Sequence, residues 1–330
     1  MKTKLVTFGE TMIRLSPPNH ERLEQTSALD VRVGGSELNA AVAACRLGLD
    51  VSYVTRLTRN PLGRMIENKA REHGVDTSHI AWTDEDRVGT YYIEFGASPR
   101  ANAVIYDRRD SAISRIQPGE IDWATVFDGA GLFYTSGITA ALSPSAAEAT
   151  IEAVRMAHEA GVKVCVDLNY RARLWSQEEA RKVMTEIAGW TDILFTTEED
   201  TKRVFGIEEK SYEDVARRLA DTFNLETVAI TLRENPSVWK NVWTAIAYDK
   251  ASGEIHRAPT FDIEVVDRVG SGDSFVGGFL AGYVAEGTAL GVRYGVGMSA
   301  LKQTLPGDLN WSTREEVDRV LEGGGLRIVR

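Results

Sequence analysis

The sequence predicts an α/β fold: a doubly wound, mostly parallel sheet with helices on both faces, and a small β-sheet beside it. Short β-rich runs alternate with helical stretches along the chain. Several of these runs are apolar at consecutive positions, as expected of parallel strands that are covered on both faces. With 330 residues, 43% hydrophobic and 26% charged side chains, the chain suits one large α/β domain spanning residues 1–330.

The predicted strands and helices follow one another in βα order. The strand candidates are KLVTFG, VSYVTRL, GLFYTSG, VKVCVDL, DILFTT and TVAITL. Between them, residues 145–160, 177–189 and 212–223 are each long enough for a crossover helix. Because α/β folds usually bind ligands at the carboxyl ends of their parallel strands, we expect the site at that edge.

Two segments interrupt this alternation and predict the small second sheet. Residues 87–114 form a candidate hairpin, because two β-prone runs flank the turn GASPRAN. Residues 11–34 are irregular and would supply further strands. A sheet built from both segments could cover a site at the carboxyl ends of the main strands, whereas a surface insertion without a role is the alternative.

Charge and cysteine content narrow the function classes. The formal net charge of -10 argues against broad nucleic-acid binding, although a local arginine cluster could still bind a small anion. Cys45 and Cys165 both lie in apolar surroundings, which predicts buried, reduced thiols, and no Cys/His cluster suggests a metal site. Without a signal peptide or an apolar run of about 20 residues, we expect a cytoplasmic protein with no membrane partner.

A glycine-rich turn in VVDRVGSGDSFVGG carries the strongest chemical signal. The chain has no Walker A pattern GxxxxGK[ST], and Phe275 occupies the third glycine position of a Rossmann fingerprint. Aromatic side chains then recur every four residues from Phe275, which predicts a helix starting near Asp273. The turn would place unpaired backbone N–H groups at a helix N-terminus, where anions bind. Asp273 either caps this helix or accepts the proton of an attacking hydroxyl in a phosphoryl-transfer site.

A second glycine pair lies in RVGGSELNAAVAACRLG. Gly34 and Gly35 would allow close backbone approach to a ligand, and Asn39 falls in the first turns of the following helix. The buried face of that helix is predicted from its apolar stripe, Leu38, Val42 and Cys45. This stripe leaves Asn39 off the buried face.

Together the two motifs resemble the ribokinase-like (PfkB) family of sugar kinases, and the resemblance covers essentially the whole chain. GGSELNAAVAACRLG corresponds to the N-terminal signature of the family and DRVGSGDSFVGGF to the C-terminal one. The resemblance implies that Gly270, Ser271 and Gly272 form the anion hole and that Asp273 is the catalytic base. It also implies ATP and Mg²⁺ as cofactors, a small sheet that acts as a lid over the sugar, and a K⁺ site near Asp267. Pairing of subunits through the lid is left open.

Within the family, the chain is most similar to kinases of 2-keto-3-deoxygluconate, in GETMIRLSPP, GTYYIEFG, VIYDRRDSA, DLNYRARLW, DRVGSGD and LKQTLPGD. The implied reaction is ATP-dependent phosphorylation of the terminal hydroxyl of a sugar acid, giving 2-keto-3-deoxy-6-phosphogluconate. Because guanidinium groups pair with carboxylates, Arg108 and Arg171 are the expected carboxylate contacts, with Arg173 as the alternative to Arg171. The other expected substrate contacts are Gly34, Gly35, Asn39, Tyr91, Tyr106 and Asp308.

Two segments depart from the family pattern. The Asn-x-x-Glu motif that helps to organise Mg²⁺ appears as TTEED, which places Thr197 and Asp200 at the matching positions as indirect, water-mediated metal contacts. The usual Gly-x-x-Gly of the nucleotide loop is replaced by RENP. Thr231 and Arg233 are the remaining expected ATP contacts there, together with Gly270 and Gly272 of the turn.

Three alternatives stay open from sequence. A kinase of the same family could act on a neutral ketose, a nucleoside or another sugar acid. The altered TTEED and TLRENPS segments also fit a catalytically silent sugar- or nucleotide-binding protein. An oxidoreductase that uses a nicotinamide cofactor is a distant third, because the Rossmann pattern is incomplete.

Overall fold

The computed structural model describes residues 3–324 and confirms the α/β fold. The ends of the predicted domain, residues 1–2 and 325–330, lie outside the described residues. The strands are β1 (Lys4–Phe8), β2 (Met12–Ser16), β3 (Asp30–Gly34), β4 (Asp50–Val54), β5 (Arg56–Thr58), β6 (Ala81–Thr83), β7 (Thr90–Glu94), β8 (Ala103–Asp107), β9 (Ala130–Ser136), β10 (Lys163–Asp167), β11 (Ile193–Thr196), β12 (Thr227–Ser237), β13 (Lys240–Asp249), β14 (Glu254–Arg257) and β15 (Phe261–Glu264).

The described residues form eleven α-helices, eight of which begin after a residue whose side chain caps the first turn. They are α1 (Ser36–Arg46), α2 (Pro61–Glu72), α3 (Trp123–Val126), α4 (Gly137–Ala140), α5 (Pro144–Glu159), α6 (Gln177–Ala188), α7 (Glu198–Phe205), α8 (Tyr212–Phe223), α9 (Ser271–Glu286), α10 (Thr288–Gln303) and α11 (Arg314–Leu321). Ser143 caps α5 ahead of Pro144, and Ser176 forms a capping box with Glu179 at the start of α6. The predicted helices 145–160, 177–189 and 212–223 correspond to α5, α6 and α8.

The large sheet has the strand order β14-β13-β12-β11-β10-β9-β1-β4, with β15 beside β13. The strands from β4 to β12 in this order are parallel, and each of the six predicted strands lies among them. β13, β14 and β15 add an antiparallel extension that the sequence did not predict. Both faces of the parallel part are covered, as its continuous apolar runs indicated.

Alternate residues of the central strands enter two separate cores. Along β9, Leu132 and Tyr134 pack in the core that includes α1, α9 and α10, whereas Phe133 packs in the core that includes α5 and α6.

Cys165 is buried between sheet and helices as predicted, but Cys45 keeps partial exposure and donates to the carbonyl of His73. Within residues 3–324, no helix has the length and apolar character that crossing a bilayer requires. A cytoplasmic location stays a prediction.

The small sheet has the order β3-β2-β7-β8 and confirms that both interrupting segments contribute strands. β7 and β8 form the predicted antiparallel hairpin, and β2 pairs with β7 in parallel. β5 and β6 form a further two-stranded sheet. The exact limits of a lid at residues 11–34 and 87–114 stay a prediction.

Glu37 joins α1 to the carboxyl end of β9. Its side chain is fully buried, and its Oε1 accepts hydrogen bonds from the N–H (3.0 Å) and hydroxyl (2.6 Å) of Ser136 and from the hydroxyl of Thr139 (2.8 Å). Burial raises the pKa of Glu37 to about 7, although these hydrogen bonds oppose the shift. The folded protein therefore holds a proton on Glu37 that the unfolded chain releases at lower pH.

We predict that Glu37 makes stability depend on pH between its ordinary pKa of 4.5 and about 7. A raised carboxyl pKa stabilises the fold below the unfolded pKa, and this stabilisation is lost as pH rises through the folded pKa. From pH 5 to 7.5, wild type should lose about 2–3 kcal/mol more unfolding free energy than Glu37→Gln, which cannot titrate. Urea denaturation at the two pH values measures this difference, and parallel losses in both proteins would refute it.

Candidate active site

A cavity of about 300 Å³ lies between the carboxyl ends of the parallel strands and the small sheet. Every site residue predicted from sequence lines it: Gly34, Gly35, Asn39, Tyr91, Tyr106, Arg108, Arg171, Thr197, Asp200, Thr231, Arg233, Gly270, Ser271, Gly272, Asp273 and Asp308. Arg173 is not among the lining residues and instead donates to the carbonyl of Val104 at 3.4 Å. The structure thus brings the predicted set together, while the role of each residue stays a prediction.

The glycine-rich turn ends at the start of α9, two residues before the predicted helix start. Gly270 is the N-cap with φ of 81°, a left-handed conformation that favours glycine. A Cβ at this position would also overlap the backbone carbonyl of Asp308. Gly272 is exposed toward open space. The first turn of α9 therefore presents its backbone N–H groups to the cavity, with the positive end of the helix dipole behind them.

Asp273 does not cap α9, because Gly270 is the N-cap of this helix, and the role of Asp273 as a base stays a prediction. Its two carboxylate oxygens accept hydrogen bonds from the hydroxyl of Ser36 and the side-chain amide of Asn39, each at 2.7 Å. Asn169 in turn donates to the hydroxyl of Ser36 at 3.2 Å. Burial raises the pKa of Asp273, against the opposing effect of its hydrogen bonds from Asn39 and Ser36. The carboxylate is thus held in a fixed orientation at the cavity wall.

The prediction that Asn39 lies off the buried face of α1 is wrong. Asn39 is 2% exposed, and α1 is buried on all sides over its first two turns. The reason is that α1 packs against α9 as well as against the sheet. The two helices lie so close together that a Cβ at Gly277 of α9 would overlap the carbonyl of Ala40 of α1. Gly35, the N-cap of α1, donates its N–H to Asn39 Oδ1 at 3.3 Å, and Gly34 ends β3 beside it.

A further aspartate, Asp167, lines the same cavity as Asp273. Burial raises the pKa of Asp167, at the end of β10, and the negative charges of Asp200 and Asp273 raise it further. The hydroxyl of Thr197 accepts a hydrogen bond from the N–H of Asp200 at 3.1 Å and thereby caps α7. The sequence analysis missed Asp167, although an acid that directly ends the buried strand VCVD is a usable signal. Among the described residues, no group of three or more His, Cys, Asp or Glu has the arrangement of a metal site.

The two arginines predicted to bind a carboxylate differ in their surroundings. Arg108 forms an ion pair with Glu10, whose other carboxylate oxygen accepts from the hydroxyl of Ser111 at 2.7 Å. The Arg108 guanidinium also lies 5.5 Å from the ring centre of Tyr106. Arg171 is exposed on the loop after β10 and donates to the carbonyl of Tyr170 at 3.1 Å. Its guanidinium is the more accessible of the two to an anion in the cavity.

Asp308 and Tyr91 are held by other protein groups. The two oxygens of Asp308 accept from Arg14 at 2.8 Å and from the hydroxyl of Tyr91, and all three side chains are buried. Arg14 also donates to Asp267 at 2.7 Å. Burial would lower the pKa of Arg14, but the charges of Asp308 and Asp267 outweigh it and raise this pKa. Tyr106 stacks on Tyr91 and is 44% exposed, so it is the better placed tyrosine for contact with a ligand.

The segment that replaces the usual nucleotide loop lies in a strand. β12 continues to Ser237, and Arg233 and Glu234 pair with Trp243 and Val242 of β13 before the register shifts between Glu234 and Ser237. Thr231 and Arg233 line the cavity from this strand, and Arg268 joins them from the glycine-rich turn. Burial lowers the pKa of Arg268, and the charge of Arg233, which lines the same cavity, lowers it further. The sequence analysis overlooked Arg268.

Comparisons with known proteins show the family to which the chain belongs. A family model described as pfkB family carbohydrate kinase matches residues 2–310. The 2-dehydro-3-deoxygalactonokinase of Haloferax volcanii is 41% identical over the full length of both chains. The 5-dehydro-2-deoxygluconokinase of Shouchella clausii is 32% identical over 84% of this chain and 82% of that protein.

A solved structure is also closely similar. The crystal structure of 2-dehydro-3-deoxygluconokinase from Thermotoga maritima has a TM-score of 0.94 and 40% sequence identity, covering 98% of this chain and 99% of that one. The family model and the full-length relative each span most of the chain and include both glycine motifs. The chain belongs to the PfkB family of carbohydrate kinases.

Proposed function

We propose that the protein transfers a phosphoryl group from ATP to the terminal hydroxyl of a six-carbon 2-keto-3-deoxy sugar acid, with 2-keto-3-deoxygluconate as the best candidate. The observation that carries this proposal is Asp273, fixed by Ser36 and Asn39 beside the N-terminus of α9 in the same cavity as Arg108 and Arg171. A base, an anion site and two guanidinium groups are what phosphorylation of an acidic sugar requires.

In the proposed reaction, Asp273 accepts the proton of the terminal hydroxyl as that oxygen attacks the γ-phosphorus of ATP. The bond from this phosphorus to the β–γ bridging oxygen breaks, and ADP leaves. Backbone N–H groups of the Gly270–Asp273 turn stabilise the charge that develops on the phosphoryl oxygens. A raised pKa makes Asp273 a stronger base than an ordinary aspartate.

The carboxylate of the substrate would lie against the guanidinium groups that line the cavity. Arg171 is the principal contact in this proposal because its guanidinium is exposed toward the cavity. Arg108 would contribute a second guanidinium while Glu10 and Ser111 hold it in place. The hairpin of β7 and β8 carries Arg108 and Tyr106, so the small sheet would act as a lid that excludes water. Pairing of two copies through this sheet stays a prediction.

The residues around Asp167 suit Mg²⁺. Burial and the negative charges of Asp200 and Asp273 raise the pKa of Asp167, and a bound divalent cation, which prefers oxygen ligands, would offset this negative charge. Asp167 and Asp200 would hold the ion, directly or through water. When bound, Mg²⁺ supplies positive charge for the phosphate oxygens of the nucleotide.

A second candidate substrate is the C4 epimer, 2-keto-3-deoxygalactonate. The relative that matches over the full length of both chains carries the name of a 2-dehydro-3-deoxygalactonokinase, and 2-dehydro and 2-keto denote the same group. The two epimers share the carboxylate and the terminal hydroxyl, so the contacts proposed above serve both.

An ADP-release assay over a substrate panel tests the proposed class. Both 2-keto-3-deoxy epimers should have kcat/KM at least about 10²-fold above those of fructose and ribose, which lack the carboxylate. The ratio between the epimers then assigns the preferred one. Equal or faster turnover of a neutral sugar would contradict the proposal, and sugar binding without ADP release would indicate a silent binding protein.

Replacement of Asp273 by Asn tests the base. We predict that Asp273→Asn lowers kcat by about 10³-fold or more, since Asn cannot accept the proton, and leaves the sugar Kd within severalfold. Kinetics and isothermal titration calorimetry measure the two quantities. Asp262→Asn, an exposed acidic residue on β15, is the matched control and should keep wild-type kcat. Near-normal kcat in Asp273→Asn would remove the base assignment.

Replacement of Arg171 by Ala tests the carboxylate contact. We predict that KM for the sugar acid rises about 10–100-fold with a smaller change in kcat, because a charged hydrogen bond to the substrate is lost. Arg173→Ala is the control two residues away, outside the cavity lining. An unchanged KM in Arg171→Ala, or an equal rise in Arg173→Ala, would exclude Arg171 from this role.

A further inference from the structure

Lys302 places a buried ammonium group directly behind the glycine-rich turn. The residue lies near the end of α10 and is 0% exposed. Its Nζ donates to the backbone carbonyl oxygens of Asp267 at 3.0 Å and Leu305 at 3.3 Å. Asp267 leads into the turn that ends at Asp273, and Leu305 begins the loop that leads to Asp308. Because burying an ammonium is costly without compensation, its position needs a physical explanation.

The loops that Lys302 joins are fixed by a dense set of hydrogen bonds. Asp267 accepts the N–H of Val269 at 3.0 Å and the N–H of Gly307 at 2.9 Å, in addition to Arg14. The backbone carbonyl of Gln303, at the end of α10, accepts the N–H of Asp267 at 3.1 Å. A cation beside the carbonyl end of a helix is electrostatically favourable. Lys302 therefore stabilises the point where both loops meet.

Charge is balanced in this region. Two carboxylates, Asp267 and Asp308, face two cations, Arg14 and Lys302. Burial lowers the pKa of Lys302 to about 8, against the opposing charges of Asp267 and Asp308. The two carbonyl acceptors and the two neighbouring carboxylates favour the charged form of Lys302.

An external monovalent cation near Asp267, as the family resemblance implies, does not fit this arrangement. Both carboxylate oxygens of Asp267 accept hydrogen bonds within the protein, and its backbone carbonyl accepts the one from Lys302. An ammonium group and K⁺ are similar in size and charge, and both bind carbonyl oxygens. The oxygens that a K⁺ ion would need are therefore already bound to side-chain and backbone donors.

We infer that the Lys302 ammonium is a built-in monovalent cation that positions the Gly270–Asp273 turn, so that the protein needs no K⁺. This inference rests on the proposed function only for its kinetic consequence, since ion binding can be measured without turnover. Lys302 acts through the turn and does not touch the reacting groups, so it is a positioning residue.

The wild-type protein provides the first test. At constant ionic strength, kcat/KM for the sugar acid should agree within about twofold between KCl and choline chloride. Tm should agree within roughly 1–2 °C, the precision of such assays. A rise of tenfold in kcat/KM, or a saturable rise of Tm, that is specific to K⁺ would overturn the inference. This comparison needs no variant and is decisive even if substitutions at Lys302 prevent folding.

Lys302→Ala provides the second test, because it removes the ammonium and leaves its two carbonyl partners unbound. We predict that kcat falls by about 10²-fold as the turn loses its position, and that K⁺ or NH₄⁺ raises Tm and restores at least tenfold of the activity, whereas choline does neither. A folded variant that is neither stabilised nor activated by these ions would overturn the inference.

Lys250→Ala is the matched control. Lys250 also donates to a backbone carbonyl, that of Ala220 at 3.2 Å, but lies away from the cavity. This variant should keep wild-type activity and show no ion-specific change in Tm. If the protein phosphorylates none of the sugars in the panel, the Tm measurements still decide the inference, so its failure and that of the proposed function are distinguishable.

Discussion

The buried guanidinium of Arg14 is the interaction on which the site depends. Its two terminal nitrogens bind Asp267 and Asp308, which lie before the glycine-rich turn and after α10. Arg14 belongs to β2, so this pair of ion pairs connects the small sheet to the start of α9. Removal of one partner from a buried ion pair leaves an uncompensated charge. The small sheet, the glycine-rich turn and the segment after α10 are therefore constrained to hold one arrangement. Lys302 completes the charge balance from the opposite side.

This constraint explains how one cavity comes to be lined by a carboxylate, helix N–H groups and guanidinium groups. The start of α9 is fixed from behind, so Asp273 and the backbone N–H groups of the first turn face the cavity together. The small sheet, held by Arg14, brings Arg108 and Tyr106 to the same cavity. A substrate that carries both a carboxylate and a hydroxyl matches this set of groups. The chemistry that we propose follows from their presence in one cavity more than from any one of them.

Local sequence patterns predicted most of the fold and most of the residues that line the site. Apolar runs, the lengths of the segments between them and the turn GASPRAN are local signals, and they correctly gave the parallel strands, three helices and the hairpin. Asn39 was misplaced because periodicity along α1 reports one packed face and cannot report the second contact with α9. Arg14, Asp267 and Lys302 were not recognised as a unit because Arg14 and Asp267 are 253 residues apart, and no local pattern encodes such a pair. The end of β12 was missed because its RENP segment was interpreted as a nucleotide loop.

The position of the transferred phosphate tests the central claim most directly. If the carboxylate of the sugar acid binds at the arginines, its terminal hydroxyl lies at Asp273. Proton-coupled ³¹P NMR of the product formed from 2-keto-3-deoxygluconate counts the protons on the carbon that carries the phosphate. We predict that phosphorus couples to the two protons of the terminal CH₂ group in all of the product. Coupling to a single proton, as on a secondary carbon, would contradict this proposal.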